Sequence, residues 1–154
     1  MAEARRKPPA FHDPSLDLLR ERGLAHERAY IEHLRSRGLN VVDLGDDDGR
    51  RADRVIAAMR GGADAIVQAD LGTGPWVGRA DVLLKAARPS KLLGGWSYEV
   101  VDTKLALETR GGTILQLCLY SDLVAEIQGL QPERMHVVKP GEDFEPESFR
   151  YDEF

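Results

Sequence analysis

Residues 97–104 read Ser97-Tyr98-Glu99-Val100-Val101-Asp102-Thr103-Lys104, and residues 77–84 read Val77-Gly78-Arg79-Ala80-Asp81-Val82-Leu83-Leu84. Each is short, apolar and rich in β-branched residues, so each predicts a strand. Alternate residues of a strand share a face, roughly 6.5–7 Å apart. Asp102 and Lys104 therefore project together, with Val100 behind them, while Glu99 falls on the other face and is expected to be structural. If the two strands pair, Asp81 and Asp102 converge. Two carboxylates held close in a half-buried setting repel unless a proton or a cation intervenes, and a hard divalent ion with oxygen ligands is the natural solution. Lys104 beside them is placed to stabilise a developing phosphate charge or to position an attacking water.

Upstream, Ala63 to Ala69 predicts a further strand, joined to the Asp81 strand through Gly72, Gly74 and Pro75, residues suited to a turn between antiparallel neighbours. Gly72, Gly74 and Gly78 precede a strand rather than a helix, so they do not form a phosphate-binding loop. Before them, Arg50 to Arg60 predicts a helix, with Ala52, Val55, Ile56 and Met59 at helical spacing and Gly61-Gly62 as its stop. The cluster Asp46-Asp47-Asp48-Gly49 reads as a loop and helix cap without the ligand spacing of a calcium loop. Asn40 to Leu44 is a short strand. Pro14 to Arg37 is a long helix with Asp13 as its cap, its stripe Leu16, Leu19, Ala25, Tyr30, Ile31 and Leu34, and a break expected at Gly23, which costs roughly 1 kcal/mol relative to alanine.

Downstream, the connection Lys85 to Trp96 carries Lys85, Arg88 and Lys91, most simply a solvated loop. Trp76, Trp96 and Tyr98 read as core or rim packing. Thr113 to Gln128 predicts a helix apolar on most sides and therefore buried. Gln116 within it implies a polar cavity, because an unpaired buried amide costs a few kcal/mol. Met135 to Val138 reads as the last strand, and the stretch after Pro140 as an acidic, irregular tail. The order helix, three strands, helix, strand predicts an α/β sandwich around a mixed sheet flanked by helices. Residues 1–12 are expected to be a flexible lead-in, 13–139 the domain, and 140–154 a tail or a shortened continuation.

With 154 residues and 42% apolar content the chain suffices for one core. Its 21 basic and 26 acidic residues leave a net charge of −5, which runs against a nucleic-acid partner that would meet a basic face, although catalytic carboxylates add to the acidic count. A single cysteine, Cys118, precludes a disulfide framework or thiolate cage within the chain and fits a reducing cytoplasm. No apolar run approaches the roughly 20 residues of a membrane span, and the first ten residues lack the apolar stretch of a signal peptide.

The G-x-x-D of Gly78 to Asp81 followed by the D-x-K of Asp102 to Lys104 is similar to the PD-(D/E)XK nuclease signature. Gln116-Leu117-Cys118-Leu119-Tyr120 resembles the Q-x-x-x-Y element of the RecB-like branch, and Gly23-Leu24-Ala25-His26-Glu27 resembles that branch's first motif. D-x-K alone arises often by chance, but the four motifs occur in order over Gly23 to Tyr120. Residues Trp96 to Gln128 also resemble nuclease domains fused to superfamily-1 DNA helicases. The resemblance implies a restriction-endonuclease-like core that hydrolyses DNA phosphodiester bonds, exonuclease-like or processing, within or derived from a repair or recombination helicase–nuclease. It implies that His26, Asp81 and Asp102 hold Mg²⁺ or Mn²⁺ with the Thr103 backbone carbonyl, that Lys104 is the catalytic lysine, and that Gln116 and Tyr120 position the site or the DNA. Glu27 is the alternative to His26. Several relatives carry four cysteines for an iron–sulfur cluster, which Cys118 alone does not supply. The rival readings are a nuclease-like DNA-binding or assembly module without turnover, and a small-molecule hydrolase using the same carboxylates.

Overall fold

The fold is set by which strands find each other across the two faces of one sheet. In the structure, a computed structural model, the described residues are 14–45, 51–72, 77–104, 111–141 and 143–154. The cap at Asp13, the lead-in, the cluster Asp46 to Asp48 and the turn at Gly74 and Pro75 with Trp76 lie outside them. The elements are α1 (Pro14–Ser36), β1 (Val41–Asp43), α2 (Arg51–Arg60), β2 (Ala65–Leu71), β3 (Gly78–Ala86), β4 (Ser97–Thr103), α3 (Gly111–Gln128), β5 (Arg134–Val138) and β6 (Pro146–Arg150). The six strands form one sheet in sequential order. β2, β3 and β4 are mutually antiparallel, whereas β1 runs parallel to β2 and β5 parallel to β4. Each parallel pair is joined through a helix, α2 and α3, as a parallel connection requires.

The sheet is apolar on both faces. On one face Val55 and Met59 of α2 and Leu117, Leu123 and Val124 of α3 pack on Ile66, Leu83, Tyr98, Val100 and Met135. On the other, Tyr30, Ile31 and Leu34 of α1 pack on Ala65, Val67, Val82, Val101 and Val138. The alternation along β4 serves both cores, Tyr98 and Val100 facing α3 while Val101 faces α1. Several buried polar groups on this frame are paired. The Gln128 side chain accepts from the Tyr98 N–H at 2.8 Å, the Tyr98 hydroxyl donates to the Ala63 carbonyl at 2.7 Å, and Trp96 Nε1 donates to the Met59 carbonyl at 2.8 Å.

Four expectations change. α1 continues through Gly23, where an added Cβ would meet nothing within 4 Å; the glycine weakens the helix without ending it. The first half of α1 does not cover the sheet, since Leu16 and Leu19 are 56% and 52% exposed. α3 is not buried all round, with Leu115 73% exposed. The stretch after Pro140 is not wholly irregular: β6 pairs antiparallel with β5 from Arg134↔Arg150 to Val138↔Pro146. Phe149 is its one large apolar side chain, and its Pro146 is tolerated because the strand lies at the sheet's edge. Among the described residues no helix is long and apolar enough to cross a membrane.

Candidate functional site

β3 and β4 pair in the register Leu83↔Val100 and Val82↔Val101. One step further along the same register Asp81 lies opposite Asp102, so the antiparallel pairing brings the two carboxylates together. Asp81 Oδ2 accepts from the Thr103 N–H at 2.9 Å and from Thr103 Oγ1 at 3.1 Å, which fixes that carboxylate against β4. Asp102 is only 8% exposed. Lys104 Nζ forms an ion pair with the buried Asp102 Oδ2 at 3.1 Å. Burial, then the hydrogen bond to Asp81 and the charge of Asp81, push the Asp102 carboxyl up to about 7, against the opposing pull of Lys104. A buried carboxylate in this condition is relieved by a proton or by a cation.

The pair opens into a cavity of about 310 Å³ lined by Arg20, Gly23, Leu24, Glu27, Arg79, Asp81, Asp102, Thr103, Lys104, Gln116 and Tyr120. Gln116 and Tyr120, one helical turn apart on α3, are joined by a 2.9 Å hydrogen bond from Gln116 Nε2 to the Tyr120 hydroxyl. Gln116 is exposed rather than buried as expected, because this end of α3 overhangs the cavity. The Tyr120 ring packs closely against Gly78, where a Cβ would come within 2.3 Å of Tyr120 Cε1. Gly78 thus seats the tyrosine.

Thr103, expected to offer its carbonyl to an ion, lines the cavity with its N–H and hydroxyl committed to Asp81. His26 does not line it. Its Nε2 is 2.9 Å from the Val138 carbonyl, and its ring stacks on Phe144. Neighbouring residues of a helix point about 100° apart, and the way α1 lies on the sheet turns Glu27 into the cavity instead. Gln68 Nε2 donates to Glu27 Oε1 at 2.5 Å. Burial, then the charge of Asp81, raise the Glu27 carboxyl above its ordinary range. Gln68, Arg20 and Arg79 were not singled out from the sequence; a polar Gln68 inside the apolar run of β2 is the one signal that marked any of them. Glu99, on the other face of β4, holds His136 Nε2 at 2.9 Å, with Ser148 on the other ring nitrogen at 2.7 Å.

Among the described residues no three His, Cys, Asp or Glu side chains are gathered closely enough to enclose a metal ion. The donor set still suits Mg²⁺ or Mn²⁺. Magnesium keeps several of its waters and is commonly bound through one or two carboxylates, and the buried Asp102 carboxylate beside that of Asp81 is such a pair. No family model and no curated protein matches this chain.

Proposed function

We propose that this chain is a metal-dependent DNA nuclease domain of the RecB-like kind, with a restriction-endonuclease-like core. The order helix, three antiparallel strands, helix, parallel strand, from α1 through β2, β3, β4 and α3 to β5, supports that core. The observation that carries the function is the opposition of Asp81 and Asp102 across paired strands, with Lys104 Nζ ion-paired at 3.1 Å to a buried carboxylate oxygen of Asp102. Asp81 and Asp102 would hold the ion, and Glu27, which lines the same cavity, would stand near it where the motif resemblance put His26. When bound, a divalent ion supplies Lewis-acid stabilisation of phosphoryl oxygens and a more acidic water. Lys104 offers a positive charge on the same side of the pair, where it stabilises negative charge building on the phosphate. Gln116 and Tyr120 overhang the cavity as hydrogen-bonding groups for the DNA backbone, and Arg20 and Arg79 at its margin attract phosphate.

The test is digestion of single- and double-stranded DNA with Mg²⁺ or Mn²⁺, comparing the chain with its Lys104→Ala variant. The expected result is cleavage that falls about 100-fold or more in the variant, the scale of losing one charge-stabilising group. If neither protein cuts DNA and both bind it, the chain is a nuclease-like binding or assembly module. Cleavage of a soluble phosphodiester without DNA affinity would make it a small-molecule hydrolase.

A further inference from the structure

β2 reads Ala65-Ile66-Val67-Gln68-Ala69-Asp70-Leu71, and Gln68 interrupts it in conformation as well as in polarity. Its φ is +58°, in the left-handed region that a residue with a Cβ rarely adopts. The packing registers the switch. Val67 belongs to the core under α1, whereas Ala69 belongs to the core under α2 and α3. The partner strand switches at the matching place, Val82 lying on the α1 side and Ala80 on the other. Gln68 and Asp81 sit between the pairs Val67↔Val82 and Ala69↔Ala80, and so face each other at the switch.

From this position the Gln68 amide donates to Glu27 Oε1. Among the described residues that is the one hydrogen bond made by the Glu27 carboxylate. Glu27 stands at the cavity's α1 wall, and a glutamate otherwise carries several free torsions whose ordering opposes ligand binding. Backbone strain persists where the surroundings over-determine it, and such residues cluster at functional sites.

The geometry points to Gln68 as a positioning residue: its amide, presented by the left-handed break in β2, holds the Glu27 carboxylate at the wall of the cavity that Asp81 and Asp102 line, where it would add to the attraction for a divalent cation held by that pair. The inference rests on the nuclease reading of the same cavity. Gln68 touches neither ion nor DNA and acts through Glu27.

A merely structural glutamine makes the opposite forecast. Glycine is the residue best suited to φ +58°, so Gln68→Gly separates the roles. Mn²⁺ binding to the full chain is measured by calorimetric titration, and Tm is measured in EDTA. Gln68→Gly is expected to leave Tm unchanged or raised while weakening Mn²⁺ binding by about 10- to 100-fold, the usual effect of removing a group that orients a metal ligand. Glu27→Ala is expected to weaken binding at least as much, and the double variant to bind like Glu27→Ala alone, because the two side chains act as one unit. Mn²⁺ binding by Gln68→Gly equal to that of the parent, a lowered Tm without lost affinity, or additive losses in the double variant would each overturn the role of Gln68 and leave the nuclease reading standing. A parent chain that neither binds Mn²⁺ nor cuts DNA overturns both.

Discussion

Replacing Asp102 by asparagine should stabilise the ion-free protein above neutral pH and, on the nuclease reading, abolish cleavage. Asp102 titrates near 3.8 when unfolded and is raised to about 7 in the fold, first by burial and then by Asp81. Between those values the native state holds a proton that the unfolded state has released. Linkage then requires stability to fall as pH rises from about 4 to about 7, and to stay low above that. Each pH unit of displacement is worth about 1.4 kcal/mol, so the penalty at pH 8.5 has a ceiling of about 4 kcal/mol. The expected difference is about 1–4 kcal/mol, each kcal/mol being roughly 2–4 °C in Tm for a chain of this length. Asparagine has no charge to desolvate, and its amide meets the Asp81 carboxylate as an acceptor. The assay is urea or thermal unfolding of the parent and Asp102→Asn, in EDTA, at pH 4, 5.5, 7 and 8.5. The two should be close at pH 4 and diverge in favour of the variant as pH rises. Added Mn²⁺ should close the gap at pH 8.5 by stabilising the parent alone. Parallel pH profiles, or a variant less stable than the parent at pH 8.5, would refute the claim that a buried charge is held there at a cost.

The other expectations are structural. Gly78→Ala places a methyl group 2.3 Å from Tyr120 Cε1, and relieving that overlap should cost about 1–3 kcal/mol in urea unfolding. Adding Tyr120→Ala should remove that increment, so additive losses in the double variant would contradict the packing. His26→Ala should lower stability by about 1 kcal/mol through loss of its bond to the Val138 carbonyl, and leave DNA cleavage within a few-fold of the parent. A 100-fold loss of cleavage would return His26 to the ligand set.

The meeting of Asp81 and Asp102 was legible because strand alternation and antiparallel pairing are short-range rules: once Val82, Leu83, Val100 and Val101 require burial, the register carries the carboxylates with them. The choice between His26 and Glu27 was not. It depends on the azimuth at which α1 lands on the sheet, which Tyr30, Ile31 and Leu34 decide two turns later, and a rotation of one residue exchanges the two side chains. β6 escaped for a different reason. An edge strand takes its stability from backbone hydrogen bonds to β5, and with Phe149 as its one large apolar side chain it leaves almost no alternating pattern to read. Gln68 lacks the glycine or asparagine that ordinarily announces a positive φ. The polar cavity implied by Gln116 is where its side chain lies, but the apolar letters around it overstated the burial of this end of α3, where Leu115 is itself exposed.

The net charge of −5 also takes on a different meaning once the side chains are placed. Charges separated by more than about 8 Å are largely screened at physiological ionic strength, so a DNA phosphate responds to the cavity rather than to the whole chain. Glu27, Asp81 and Asp102 are set there against Arg20, Lys104 and Arg79, the last already paired with Asp70 at 2.7 Å, and the formal charges nearly cancel with a slight acidic excess. On the nuclease reading a divalent ion tips this balance to positive, making the cavity an anion receptor only in the state competent for hydrolysis. The coupling works in both directions: the ion raises affinity for phosphate, and phosphate raises affinity for the ion. On that reading an acidic chain with a near-balanced cavity would need no basic face to select DNA at the reacting centre, because the cation that would supply the chemistry would also supply the attraction.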